Sequence, residues 1–341
     1  MMDRRALVVL CAIVAMFSLP ACSYVPALYP APRRDVLLGV TFSARYAREL
    51  SLDPKATYAA LMDDLGVRHI RLPVYWDEVE PSPGEYDFSS IEDYLAQAKA
   101  RQVHVIVSLG YKQERWPECY EPPFVKNASV AEKRRLILDL LRTEILALRS
   151  FDNIDLWQIE NEPFLPHGEC GYGNVLSFDF VRQEIDLART LDNRPLMVTD
   201  SGEWSLWTDA IQLGDVFGST MYRSIWIPNV GLIVYPIPPL YYPVKNDVLR
   251  TLLQKKGSTT IVELQAEPWI MGDVLVTALA PEWLHELFPE QTLGRYVEYA
   301  ETTGFPQIYL WGAEWWYWMQ QKGYPQYVAA AKAIFRQAAA S

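Results

Sequence analysis

From residue 36 onward, short β-rich runs alternate with amphipathic segments eight times, and this rhythm limits the chain to very few folds. The strand candidates are residues 36–42, 69–73, 103–109, 154–159, 196–199, 216–220, 259–264 and 307–311. Helical patterns over 54–65, 90–101, 131–149, 179–191, 206–213, 246–256, 293–303 and 326–339 follow them in turn. Several of these close on Gly66, Asn193, Gly214, Gly257 or Gly304, residue types that end helices. Strands that alternate with helices build parallel sheets with right-handed crossovers. Eight repeats in roughly 300 residues fit a closed (β/α)8 barrel. An open doubly wound sheet would carry a glycine-rich phosphate turn after its first strand. Gly39-Val40-Thr41-Phe42 is not such a turn. The expected fold is therefore α/β, a single (β/α)8 TIM barrel over 36–341 with loop insertions at its C-terminal face.

The first residues stand outside this rhythm. Arg4 and Arg5 precede an apolar run over 6–20 that reaches Leu19-Pro20-Ala21-Cys22. A positive start, a short apolar stretch and a small residue before the cut describe a secretory signal. The run is too short for a comfortable membrane span, which needs about 20 apolar residues. Leu-x-Ala-Cys resembles the bacterial lipoprotein box, which implies that Cys22 is lipidated and begins the mature chain. Residues 1–21 are then the signal, and 22–35, rich in Pro, Ala and Tyr, a tether to the cell envelope. An ordinary signal peptide or an uncleaved anchor is the alternative.

Export gives the cysteines meaning. Cys11 leaves with the signal and Cys22 takes the lipid, so Cys119 and Cys170 remain, and in an oxidising compartment two leftover cysteines most simply pair. They fall in the loops after strands three and four, which neighbour each other in a barrel. The four histidines, His69, His104, His167 and His285, show no His-x-x-x-His spacing, and there is no Cys-x-x-Cys. This argues against a metal site, and no cofactor is expected. A net charge of −11 disfavours binding to a nucleic-acid backbone. A content of 50 % hydrophobic residues excludes a disordered chain. Twelve Trp and twenty Tyr call for an explanation.

In a (β/α)8 barrel the chemistry sits at the C-terminal ends of the strands. The fourth strand ends Trp157-Gln158-Ile159-Glu160-Asn161-Glu162-Pro163, and the seventh runs Ile261-Val262-Glu263-Leu264-Gln265-Ala266-Glu267-Pro268-Trp269. The second reads Ile70-Arg71-Leu72-Pro73-Val74-Tyr75-Trp76 and continues through Glu80-Pro81-Ser82-Pro83-Gly84-Glu85-Tyr86-Asp87-Phe88. The sixth gives Thr220-Met221-Tyr222 and the eighth Leu310-Trp311-Gly312. These strand ends resemble those of clan A retaining glycoside hydrolases, whose two catalytic glutamates end strands four and seven. The stretch after strand two is similar to the family 5, 39 and 42 branches. The resemblance departs at Thr220, where the clan often has His.

Glycoside hydrolysis needs one carboxylic acid to protonate the leaving oxygen and one carboxylate to attack the anomeric carbon or to activate water. Glu162 is expected as general acid/base, its pKa raised by partial burial and a neighbouring carboxylate. Asn161 would hydrogen-bond the sugar 2-hydroxyl. Arg71 would hold the nucleophile ionised through a charge-assisted contact, with an ordinary buried barrel ion pair to Glu160 as the alternative. Tyr222 would donate to the nucleophile, or else form part of the wall. Trp311 would be the platform on which the sugar stacks. Glu263, Gln265 and Glu267 share one strand parity, so side-chain direction does not separate the two glutamates. Glu263, well inside its strand and after a β-branched pair, is the better nucleophile. Glu267, before Pro-Trp, stays open.

Tyr111, Lys112, Trp116, Tyr120, Trp204, Trp207, Trp226 and Trp269 follow strand ends and are expected to ring the mouth, where aromatic faces grip sugars. Asp200 and Glu203 read as rim residues or substrate contacts, and His167 as a solvated loop residue. Residues 225–244 form a subsite wall or an apolar patch, and 271–291 a second insertion capping the cleft. The expected function is an exported glycosidase, monomeric, acting on a carbohydrate, with a membrane met through the lipid anchor and no nucleic-acid partner. The alternative is a non-catalytic barrel that binds glycan or helps to assemble a surface polysaccharide.

Overall fold

The structure, a computed structural model, describes residues 35–166, 168–170, 175–272 and 274–340. The signal, Cys22, residues 22–34 of the tether and His167 lie outside the described residues. Among the described residues are ten strands: β1 (Leu37–Thr41), β2 (His69–Pro73), β3 (His104–Leu109), β4 (Ile154–Ile159), β5 (Leu196–Asp200), β6 (Val216–Met221), β7 (Ser224–Ile227), β8 (Gly231–Val234), β9 (Ser258–Gln265) and β10 (Gln307–Trp311). Eight of them close a parallel barrel in the order β1-β2-β3-β4-β5-β6-β9-β10, with β10 hydrogen-bonded back to β1. The expected (β/α)8 fold is thus present, and β7 and β8 are an added antiparallel hairpin.

Helices cover the barrel because their apolar faces demand it. α1 (Ala44–Glu49), α2 (Pro54–Asp63), α3 (Trp76–Val79), α4 (Ser89–Ala100), α5 (Val130–Leu148) and α6 (Phe178–Leu191) precede β5. α7 (Thr208–Leu213), α8 (Tyr241–Leu253), α9 (Pro281–Leu287), α10 (Gln291–Glu301), α11 (Ala313–Gln321) and α12 (Gln326–Ala340) complete the set. α5 turns Ile137, Leu140, Leu141, Glu144, Ile145 and Leu148 inward at helical spacing. Local chemistry sets its start: the Ser129 hydroxyl accepts from the Glu132 amide at 3.2 Å. Asp53 does the same for α2, with Pro54 in the first turn.

The sequence rhythm misses the short or insertion-borne elements α1, α3, β7, β8, α9 and α11. It also starts α8 at residue 246, whereas the helix begins at Tyr241 and buries Tyr242, Pro243 and Asn246. The Trp-rich run after β10 is α11, whose Trp315, Trp316 and Trp318 belong to the core. No helix among the described residues is long and apolar enough to cross a membrane.

One irregularity matters for the site. On β9, Ile261 pairs with Ser219 but Glu263 pairs with Thr220, so Val262 is an extra residue, and the register with β10 shifts in the same place. Such a bulge re-aims the residues around it. Val262 packs in the small cluster with Ile106, Leu156, Met197 and Tyr309, while its neighbour Glu263 bonds Arg71.

Candidate active site at the ends of the barrel strands

Arg71, on β2, is the hub. Its side chain is 0 % exposed, and its guanidinium reaches four side chains from three strand ends. Nε donates to Gln158 Oε1 at 2.7 Å, Nη1 to Glu263 Oε1 at 2.8 Å and Nη2 to Asn161 Oδ1 at 2.8 Å. Nη2 also pairs with Glu114. Burial alone would disfavour the cation, but Glu114 and Glu263 together hold Arg71 firmly protonated. The structural pairing with Glu160 does not occur. The Glu160 carboxylate instead accepts the Tyr111 amide at 2.8 Å and the Lys112 amide at 2.5 Å, fitting against Gly110. A Cβ at Gly110, where φ is +109°, would stand 2.5 Å from that carboxylate, so only glycine serves there.

Glu162 follows β4 with φ of +44°, a left-handed conformation that is costly for a side-chain-bearing residue. It is held there from two sides. Its amide donates to Thr199 Oγ1 at 2.8 Å, and Lys112 Nζ donates to its carbonyl at 2.9 Å. Thr220 Oγ1, which accepts from the Gly202 amide at 3.1 Å, donates to Glu162 Oε1 at 3.3 Å. Thr220 stands beside Glu263 in register, so one hydroxyl links the strand-four carboxyl to the strand-seven position. Burial first, and then the nearby Glu263 carboxylate, push the Glu162 carboxyl well above the ordinary glutamate range.

Glu263 receives two donors, Arg71 on one oxygen and the Tyr222 hydroxyl on the other at 3.1 Å. The Tyr222 ring packs 4.9 Å from Trp269, and its amide donates to Glu203 at 3.0 Å. Glu203 also accepts from Tyr242, and burial lifts its carboxyl to about 7. Glu203 and Asp200 were expected at the rim. Asp200 is buried and Glu203 half-buried, and their hydrogen bonds go to neighbouring protein groups.

Glu267 belongs to a second cluster. Arg115 pairs with it, Tyr46 donates to it at 2.9 Å, and Glu314 lies 3.5 Å from the same guanidinium. Arg115 is sandwiched between the rings of Tyr46, at 3.6 Å, and Trp311, at 4.0 Å. Trp311, expected as an open sugar platform, is only 8 % exposed, with a guanidinium over its ring.

Four of the eight residues expected to ring the mouth prove to be structural. Tyr111, Lys112, Tyr120 and Trp207 are buried, because a strand-end loop must itself be packed before it can present anything. Lys112 spends its ammonium on the carbonyls of Glu162 and Leu165 and on Glu118. Trp207 donates to the Ser201 carbonyl and packs on Tyr242 and Phe217. Trp116 and Trp204 are exposed, whereas Trp226 and Trp269 are half-buried. Cys119 and Cys170 form a disulfide with Cα atoms 5.1 Å apart, joining the loops after β3 and β4. Sequence reasoning missed Glu114, Arg115 and Thr199. The signal for the first two was a Lys-Gln-Glu-Arg run directly after a strand end. Among the described residues no group of His, Cys, Asp or Glu is arranged to hold a metal ion.

No family model matches the chain, and no curated protein matches it. Solved structures do. The chain is similar to a β-galactosidase from the psychrophilic Marinomonas ef1, with 14 % identity, a TM-score of 0.50, and coverage of 80 % of this chain and 53 % of that one. It is similar to the exo-β-1,4-mannosidase Op5Man5 from Opitutaceae bacterium strain TAV5, with 16 % identity, a TM-score of 0.53, and coverage of 89 % and 60 %. It is similar to a glycosylated endo-β-1,4-xylanase of glycoside hydrolase family 10 from Gloeophyllum trabeum, with 13 % identity, a TM-score of 0.53, and coverage of 81 % and 84 %. The chain spans little more than half the length of the first two. At such identities the likeness is one of fold, and the fold is the barrel of these glycoside hydrolases.

Proposed function

We propose that the chain is a glycosidase that cleaves β-linked sugars with retention, with Glu263 as nucleophile and Glu162 as general acid/base. The observation that carries this reading is the division of labour between the two carboxyls. Glu263 takes an arginine and a phenol, donors that favour a carboxylate. Glu162 lies beside it, buried and inclined to keep its proton. A buried carboxyl that keeps its proton, next to a second carboxyl held by an arginine and a phenol, is the arrangement that acid and nucleophile roles require. The fold shared with β-galactosidase, mannosidase and xylanase structures is consistent with it.

In the first displacement, a Glu263 oxygen bonds to the anomeric carbon as the glycosidic C–O bond breaks. Glu162 gives its proton to the departing oxygen. In the second, Glu162, now a carboxylate, takes a proton from water, whose oxygen replaces Glu263 on the anomeric carbon. Asn161 has its carbonyl oxygen committed to Arg71, which turns its NH2 into the available donor for a sugar hydroxyl.

The test is a screen of aryl β-glycosides and polysaccharides, with the first-formed anomer followed by NMR. The expected result is a β product and a Glu162→Gln variant that loses about 10²–10⁴ of its rate on poor leaving groups. Full turnover by that variant on every active substrate, or a product of inverted configuration, would overturn the mechanism. A wild type that binds glycans but hydrolyses none would point to a binding barrel. The reading extends to the amino terminus: export through the 1–21 signal and lipid attachment at Cys22 are expected from Leu-x-Ala-Cys. The intact mass of the membrane-extracted chain, with and without Cys22→Ser, checks it.

A further inference from the structure

Residues Ser224 to Val244 contain no charged side chain, and the hairpin β7–β8 that they build is held on the candidate site itself. Gln265, two residues beyond Glu263, clamps its base: the amide oxygen accepts from the Arg223 and Ser224 N–H groups, both at 2.9 Å, and its NH2 donates to the Ser224 carbonyl at 2.8 Å. The Trp226 amide donates to the Trp269 carbonyl, and the Met271 amide to the Trp226 carbonyl, both at 2.8 Å. Trp269 in turn packs on Tyr222, the donor to Glu263. Contacts therefore run from Glu263 through Tyr222 to the Trp269 ring, and backbone hydrogen bonds tie Trp269 and Met271 to Trp226 of the hairpin. Its outer end is aliphatic: Val230 is 68 % exposed, Leu232 46 % and Val234 58 %, with Met271 and Leu275 also exposed nearby in sequence to Trp269. A rigidly clamped, uncharged aliphatic surface is not what sugars stack on, since they need aromatic faces and polar edges.

We propose that this rim binds the hydrocarbon aglycone of the substrate, so that the chain acts on sugars joined to an aliphatic group, as in glycolipids. The inference rests on the glycosidase reading and names the substrate class of that same site. The sugar occupies the Glu162–Glu263 end, Trp269 and Trp226 bridge, and the alkyl chain lies along the hairpin.

The experiment compares methyl, octyl and dodecyl β-glycosides of glucose, galactose, mannose and N-acetylglucosamine, all below their micellar concentrations. Each buried methylene is worth about fourfold in affinity. KM is expected to fall at least about tenfold from methyl to octyl, with kcat little changed. In Val230→Asp/Leu232→Asp/Val234→Asp, exposed positions outside the catalytic groups, the chain-length effect disappears while turnover of the methyl glycoside stays. Equal KM for methyl and octyl in the wild type overturns the proposal, as does a chain-length effect that survives the triple variant. Concentration-dependent dimerisation lost in that variant, without a chain-length effect, identifies a second copy as the occupant instead. If neither these glycosides nor any aryl glycoside or polysaccharide of the screen is cleaved, the glycosidase reading fails, and calorimetry decides the rim separately. Dodecyl maltoside bound by the wild type and not by the triple variant, with maltose bound by neither, supports it, and equal dodecyl maltoside binding by both overturns it.

Discussion

The mouth of the barrel holds two arginines, each set between two glutamates, and the two clusters differ in what surrounds them. Arg71 lies between Glu263 and Glu114, inside the ring of strands, with amide oxygens from Gln158 and Asn161 completing its shell. Arg115 lies between Glu267 and Glu314, capped above and below by the Tyr46 and Trp311 rings. The backbone accommodates the second cluster at Gly312, where a Cβ would stand 2.6 Å from the Glu267 side chain and φ is +107°. Composition is therefore nearly the same in both. The second also holds a carboxyl inclined to keep its proton, Glu314, but that one opens α11 and accepts from Ser43, whereas the first has Glu162, at the end of β4 and linked through Thr220 to the Glu263 position. A strand-end glutamate paired with arginine is common structural furniture. One joined through Thr220 to a second, proton-holding strand-end carboxyl has the placement that the proposed acid and nucleophile roles call for.

Exchanging the two glutamates is the sharpest way to break this contrast. Glu263→Gln is expected to abolish turnover, with a loss exceeding the roughly 10²–10⁴ assigned to the general acid. Glu267→Gln keeps Tyr46 as a donor partner and is expected to cost less than about tenfold. Steady-state rates on one aryl glycoside read both, and the reverse ranking would move the nucleophile to Glu267.

A stability comparison probes the same contrast without substrate. Arg71→Met leaves Glu263 and Glu114 buried without their cation, which is expected to cost about 3–5 kcal/mol. Arg115→Met should cost less, about 1–3 kcal/mol, because Tyr46 still serves Glu267 and Glu314 can take up a proton. Urea unfolding at pH 6 measures the pair. Equal losses would mean that the two clusters are energetically alike.

Much of this was legible before any coordinates. The (β/α)8 rhythm needs only period and length, and Glu162, Asn161, Arg71 and Tyr222 stand at strand ends where chemistry gathers. The choice between Glu263 and Glu267 was not legible from parity, because the two share it; their partners from distant segments separate them, Arg71 and Tyr222 for one, Arg115 and Tyr46 for the other. Loop aromatics were over-read for a related reason. Tyr111, Tyr120 and Trp207 satisfy the packing of their own loops, and nothing in residue type distinguishes that from lining a mouth. Trp311 shows the same limit: the guanidinium over it comes from Arg115, a loop residue 196 positions earlier in the chain.

The finest test concerns the fourth carboxyl, Glu314, which accepts from the Ser43 amide and whose pKa burial raises to about 7 against the pull of Arg115. In the unfolded chain the same group titrates near ~4.3. Between these values the native state keeps a proton that the unfolded state has lost, so the native state binds more protons and stability falls as pH rises through the window. A single such carboxyl contributes a slope of about 1.4 kcal/mol per pH unit, flattening above pH 7. Glu314→Gln has no proton to hold and keeps an oxygen for Ser43, so the slope from this site vanishes. Buried carboxyls away from Arg115, such as Glu160 and Glu162, titrate in both proteins and cancel in the difference. Urea unfolding of wild type and Glu314→Gln from pH 4.5 to 7.5 should therefore give curves that diverge, with the variant gaining on the wild type as pH rises. Parallel curves would show Glu314 ionised throughout. The Arg115 cluster would then hold two carboxylates on one cation.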